Sequence, residues 1–112
     1  MTIETEAGTP PPRTAEEYEH RAWLNYTRKD QTQAEADFKK ALELNANLVD
    51  SAYGLAMTLK AAGEAERATG AFQRVIELLD EGHVKDTARA KILRALTQTQ
   101  IAHLSSPADK AA

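Results

Sequence analysis

Apolar residues recur along the central part of the chain at the spacing of one helix face. They stand three or four positions apart, and no segment alternates apolar and polar residues with period two. A period near 3.6 is typical of an amphipathic helix that packs along one side. The chain is therefore predicted to be all-α. Two stripes carry the prediction: Ala52, Leu55, Ala56 and Leu59, then Ala68, Ala71, Phe72, Val75, Ile76 and Leu79.

Start and stop signals divide this pattern into helices. Thr14 and Glu17 have the spacing of a capping box, whose side chains accept hydrogen bonds from amides that the first helical turn leaves unpaired. A helix is predicted to begin there and to break near Lys29-Asp30, and the next helix is predicted to run to about Leu44. Gly63 marks a similar break, because glycine adopts the left-handed conformation that ends a helix.

The helical pattern repeats every 34 residues. Residues 38–44, Phe-Lys-Lys-Ala-Leu-Glu-Leu, align with residues 72–78, Phe-Gln-Arg-Val-Ile-Glu-Leu. A recurring unit decides the architecture of a chain, and this one predicts about two and a half helix–turn–helix units. The same shift relates Ala34 to Ala68, Ala22 to Ala56 and Ala90, and Leu59 to Leu93.

A last helix, predicted over about residues 85–104, has no partner helix after it. Because the end of a stack needs a polar outer face, we interpret this helix as a cap. Its residues at helical spacing are Ala88, Ile92, Ala95, Leu96 and Thr99.

The predicted organisation is one domain between two tails. The tails are rich in Pro, Thr, Ser, Ala and charged residues, with too little apolar surface to offset the entropy of ordering them. The predicted bounds are a disordered tail at 1–13, a domain at 14–104 with repeats 15–48 and 49–82 and a capping helix 83–104, and a flexible tail at 105–112.

These residues resemble the tetratricopeptide repeat (TPR) family, whose unit is a 34-residue helix–turn–helix. The resemblance covers roughly residues 15–104. The first unit supplies Tyr18, Ala22, Ala34, Phe38 and Ala41, and the second supplies Leu55-Ala56, Leu59, Gly63, Ala68, Phe72 and Val75.

The chain departs from the family pattern at four positions. Arg21 stands where a large apolar residue is usual, and Lys29 stands where the turn glycine is usual. Ala46 and Asp80 occupy the places of the family's proline. The resemblance still implies a TPR-like α-solenoid, which binds a peptide or helix of a partner protein in a concave groove and is not an enzyme.

Three residue triplets are predicted to line that groove, on the first helix of each unit. Each follows the spacing i, i+4, i+7, about a quarter turn from the packed stripe of its helix. The resulting surface suits a ligand with apolar anchors followed by acidic groups. The triplets are Glu19, Trp23 and Tyr26; Tyr53, Met57 and Lys60; and Thr87, Lys91 and Arg94.

Two interpretations of the aromatic residues stay open. Trp23 and Tyr26 either face the groove or pack against the neighbouring helix. Some family members hold the carboxylate tail of chaperones with Lys and Asn on these helices. That mode is not expected here, because Glu19 and Trp23 stand in the first unit.

Composition narrows the functional classes. A net charge of −3 provides no field that favours nucleic acid, and the absence of cysteine excludes disulfides and thiolate chemistry. His20, His83 and His103 are too far apart for a local metal-ligand pair, and no serine stands in a nucleophile elbow. We expect no cofactor and no metal. Neither a signal peptide nor an apolar run of about 18 residues is present, so a cytoplasmic protein without a membrane span is expected.

Charge is distributed unevenly along the chain. Residues 1–20 carry five Glu against one Arg, whereas residues 85–94 carry four basic side chains against Asp86. The basic helix is a solvated face, meets the acidic end of a second copy, or meets an anionic surface. Because about three repeats are usually needed for a sufficient core, a homodimer through the groove or the last helix is an alternative to a monomer that this helix closes.

Overall fold

The computed structural model describes residues 10–105, and these contain five α-helices and no strand. The all-α prediction is confirmed. Most of the two predicted tails lies outside the described residues; residues 10–13 precede the first helix, and Ser105 is the last residue of the fifth. The helices are α1 (Ala15–Thr27), α2 (Gln31–Leu44), α3 (Val49–Ala61), α4 (Ala65–Asp80) and α5 (Thr87–Ser105).

The predicted helix ends are confirmed at both turns. The Glu17 amide donates to Thr14 Oγ1 at 3.1 Å and the Thr14 amide donates to Glu17 Oε1 at 3.2 Å, which completes the capping box. Lys29 and Gly63, 34 residues apart, both have left-handed backbones, with φ of 64° and 80°. Lysine at this position is strained, since the left-handed region costs a residue with a side chain about 1–2 kcal/mol.

Two helical hairpins and one further helix pack side by side. Helix α1 packs on α2 and α3 packs on α4, while α2 also contacts α3 and α4 contacts α5. The smallest dimension is 21 Å, about two helix diameters. The first helices of the units, α1 and α3, also contact one another directly.

The two hairpins share one packing arrangement. In each, a phenylalanine of the second helix packs against two alanines, and all of these residues are fully buried. The sets are Ala22, Ala34 and Phe38, and then Ala56, Ala68 and Phe72. The 34-residue repetition of the sequence is therefore matched in the core.

Glycine is required at position 54, where α3 approaches α2. A Cβ atom there would lie 2.2 Å from Phe38 Cζ. Because the Phe38 ring is fully buried, it has no free volume into which to move. The closest contact between the two hairpins therefore depends on the missing side chain.

We predict that Gly54→Ala destabilises the fold by about 1–3 kcal/mol, the usual cost of overpacking. Gly70 provides the matched control, since it also lies within a helix but a Cβ there would meet nothing within 4 Å. Gly70→Ala is expected to stabilise by up to about 1 kcal/mol through helix propensity. Urea unfolding of both variants is the measurement, and equal effects of the two substitutions would contradict this packing.

A buried carboxylate joins α1 to α2 in the first hairpin. Asp37 is 2% exposed and accepts two hydrogen bonds from Arg21 at 2.9 Å, one from Asn25 at 3.0 Å and one from Gln33 at 3.0 Å. These donors satisfy a charge that would otherwise be costly to bury. The departure from the family pattern at Arg21 is thereby explained. The second hairpin has apolar side chains at the positions equivalent to Arg21, Asn25 and Asp37, namely Leu55, Leu59 and Ala71.

Helix α5 departs from the 34-residue register. It begins at Thr87, about one turn later than residue 83, which lies 34 residues after the start of α3. The cause is α4, which has 16 residues against 14 in α2, buries Leu79 near its end, and is followed by a longer connection over residues 81–86.

The register shift reverses the expected orientation of α5. Leu93 and Thr97 are its buried residues, whereas Ile92 and Leu96 are 63% and 49% exposed. The polar outer face predicted for a capping helix is therefore wrong for this part of α5. The complete exposed stripe is Ala88, Ile92, Ala95, Leu96 and Thr99, and we call it the α5 flank.

Candidate functional site

Helices α1, α3 and α5 are connected laterally by polar side chains. Ser51 Oγ on α3 donates to Glu19 Oε2 on α1 at 2.7 Å. At one end of α3 Asp50 pairs with Arg89, which lies 39 residues further along the chain. At the other end Lys60 donates to Gln100, 40 residues further along. These contacts order the helices α1, α3, α5 in one layer.

Helices α2 and α4 form the second layer. Arg67 on α4 donates to Glu35 on α2 at 2.6 Å, and Glu35 also pairs with Lys39. The face of the first layer that points away from α2 and α4 is thus the surface on which the predicted groove residues were expected.

On α1, Trp23 takes part in the core and is also partly exposed. Its ring stands edge-on to Phe38, with centroids 5.0 Å apart, and edge-on to Tyr26 at 5.5 Å. Both Trp23 and Tyr26 pack against the buried cluster of the first hairpin and remain half-buried. The two interpretations of Trp23 are therefore compatible.

On α3, Tyr53 and Met57 occupy a similar half-buried zone. Tyr53 stands edge-on to Phe72 at 5.7 Å, and Met57 packs against the cluster that contains Phe72. Burial raises the pKa of Tyr53, and the nearby Tyr26 raises it further, so α1 and α3 bring the two phenols near each other. We call Trp23, Tyr26, Tyr53 and Met57 the aromatic surface.

The predicted α5 residues do not extend this surface. Arg94 pairs with Asp80 at the end of α4, at 2.8 Å, while Thr87 and Lys91 are exposed. Lys91 lies about 140° round the helix from Leu96. The structure therefore separates Thr87, Lys91 and Arg94 from the predicted residues of α1 and α3.

The residues of α5 that lie beside α3 were not selected from the sequence. Arg89 and Gln100 contact α3 directly, and Ile92 and Leu96 lie between them on one helical stripe. The signal was present, since the apolar spacing of the α5 flank was recognised. It was assigned to helix packing because the 34-residue register was extended through α5.

Glu19 is the most perturbed carboxylate on this face. Burial raises its pKa, the hydrogen bond from Ser51 lowers it, Asp50 and Glu16 raise it, and Arg89 lowers it. The net direction is upward from the ordinary value of 4.5. Ionised Glu19 is therefore a cost to the folded state, tolerated because Ser51 donates to it.

We predict a pH-dependent effect of Glu19→Gln. The folded chain holds the Glu19 proton more tightly than the unfolded chain, so its stabilising contribution is present below pH 4.5 and is lost as the pH rises through the folded pKa. Glutamine does not ionise but still accepts from Ser51. The variant should gain unfolding free energy over the original chain between pH values of about 4 and about 7. A difference in urea-derived free energy that stays constant or reverses would contradict this.

Other chemistry finds little support among residues 10–105. No three His, Asp or Glu side chains of this segment stand together as a metal site would require. A pocket of ≈ 230 Å³ lies between the start of α4 and the end of α5, lined by Ala65, Glu66, Thr69, Leu104 and Ser105. Within the described segment no helix is long and apolar enough to cross a bilayer.

Comparisons with protein-family models, with curated proteins and with solved structures gave no match for this chain.

Proposed function

We propose that this chain is a non-catalytic, TPR-like interaction module that binds a peptide or helix of a partner protein across α1 and α3. The observation that carries the proposal is the aromatic surface, where two tyrosines, a tryptophan and a methionine lie half-exposed on adjacent helices. Such side chains dominate binding energy at interfaces, and methionine adapts to varied partners.

The repeat character of the chain rests on packing as well as on sequence. The matching alanine–phenylalanine clusters and the left-handed turns at Lys29 and Gly63 both recur at 34 residues. These features support a TPR-like arrangement of the two hairpins. The shifted α5 is the part that departs from it.

The ligand we propose is predominantly apolar. The acidic segment expected from Lys91 and Arg94 loses its support, because Arg94 pairs with Asp80 and Lys91 lies on another side of α5. The cations near the aromatic surface, Lys60 and Arg89, already contact Gln100 and Asp50. An amphipathic helix or an extended segment with apolar anchors therefore fits better than an acidic peptide.

The proposal is tested by selecting binders from a library of short random peptides displayed on phage. Selected peptides should carry apolar anchors, and Met57→Ala should weaken their binding about tenfold, which corresponds to about 1.4 kcal/mol for a hot-spot residue. Met57 is preferable to Trp23, whose removal would also loosen the packing of Phe38.

Leu44→Ala is the matched control for this experiment. Leu44 is 50% exposed at the end of α2, in the other helix layer, so its truncation should leave peptide affinity unchanged. Circular dichroism establishes that both variants keep their helices. Failure to select any binding peptide, or equal losses with both variants, would rule out the aromatic surface as the binding site.

A further inference from the structure

The α5 flank is the most apolar unpartnered face on the described part of the chain. Helix α5 packs on α4 through Leu93 and on the Phe72 cluster through Ile101 and Leu104. On another side it still exposes Ile92 and Leu96, with Ala88, Ala95 and Thr99 around them. A helix that is apolar on more than one side is typical of a buried position.

We infer that the α5 flank binds the α5 flank of a second copy of this chain, as an antiparallel helix pair around a two-fold axis. This inference does not depend on the proposed peptide site, which uses α1 and α3. It is carried by the spacing of the flank residues and by the distribution of charge along α5.

The spacing of the flank is self-complementary in the antiparallel direction. With the two-fold axis beside residues 93–94, Ala88 lies opposite Thr99 of the second copy, and Ile92 lies opposite Ala95 and Leu96 of the second copy. Small residues at the ends allow the helices to approach, and the two large side chains fill the centre. Two-fold pairing of this kind uses the same surface on both copies and closes without further growth.

Charge selects the antiparallel direction over the parallel one. Lys85, Arg89, Lys91 and Arg94 lie at or before the middle of α5, whereas residues 95–105 contain no Asp, Glu, Lys or Arg. Parallel pairing would bring the basic halves together. Antiparallel pairing sets each basic half beside the uncharged half and the carboxyl end of the other helix, where positive charge is favoured.

Sedimentation equilibrium of the full chain tests the association. The chain should be a dimer that dissociates on dilution, because a single helix pair is a small interface. The double variant Ile92→Ser, Leu96→Ser should weaken dimerisation at least about a hundredfold while keeping its helicity, since both side chains are exposed. The control Leu24→Ser, Leu44→Ser, at residues 40% and 50% exposed, should dimerise as the original chain does.

Cross-linking tests the direction of the pair, because the chain contains no cysteine. A mixture of Ala88→Cys and Thr99→Cys chains should form mixed dimers with a short bismaleimide. Ala88→Cys alone should not cross-link, since the two copies of residue 88 would be about 17 Å apart along the helices.

Three results would overturn the inference. They are a monomer at every concentration up to about 1 mM, a dimer that Ile92→Ser, Leu96→Ser leaves intact, and efficient cross-linking of Ala88→Cys to itself.

Discussion

The structure depends on close contact between helices at two phenylalanine rings. Phe38 and Phe72 are fully buried, each against two alanines that let the facing helix approach. The first ring extends this contact to the next hairpin, where Gly54 leaves no side chain between α3 and Phe38. Because protein interiors are close-packed, these rings fix the spacing of the helices and hold the half-exposed Trp23 and Tyr53 beside them.

The two hairpins reach the same geometry by different chemistry. In the first, a buried ion pair and hydrogen bonds to Asp37 join the helices. In the second, Leu59 and the half-buried Leu55 and Ala71 occupy the equivalent positions. A buried ion pair often adds little net stability over an apolar substitute but is costly to break. The polar version therefore makes the pairing of α1 with α2 depend on a few specific partners.

Local signals were sufficient to predict the helices, their turns and both alanine–phenylalanine clusters. Thr14, Gly63 and the 34-residue spacing of Phe38 and Phe72 act within one or two turns of the chain, where sequence and structure are closely coupled. The binding residues on α1 and α3 were likewise found on adjacent helices, although their role in binding is still a proposal.

The orientation of α5 could not be read in the same way. It depends on where α4 ends, and a longer α4 with Leu79 buried moves the start of α5 by about one turn. The apolar residues of α5 fit two different stripes, one through Leu93 and Thr97 and one through Ile92 and Leu96. Only contacts with other elements, such as Arg94 with Asp80 and Gln100 with Lys60, distinguish the two.

The central claim is that α1, α3 and α5 form one layer in which α5 has moved away from the 34-residue register. Paired cysteines in this cysteine-free chain measure it most directly. Lys60→Cys with Gln100→Cys should cross-link rapidly within one chain through a short bismaleimide. Lys60→Cys with Arg94→Cys should not, because residue 94 lies about 120° round and about 9 Å along α5 from residue 100. Efficient cross-linking of the second pair and none of the first would contradict the account.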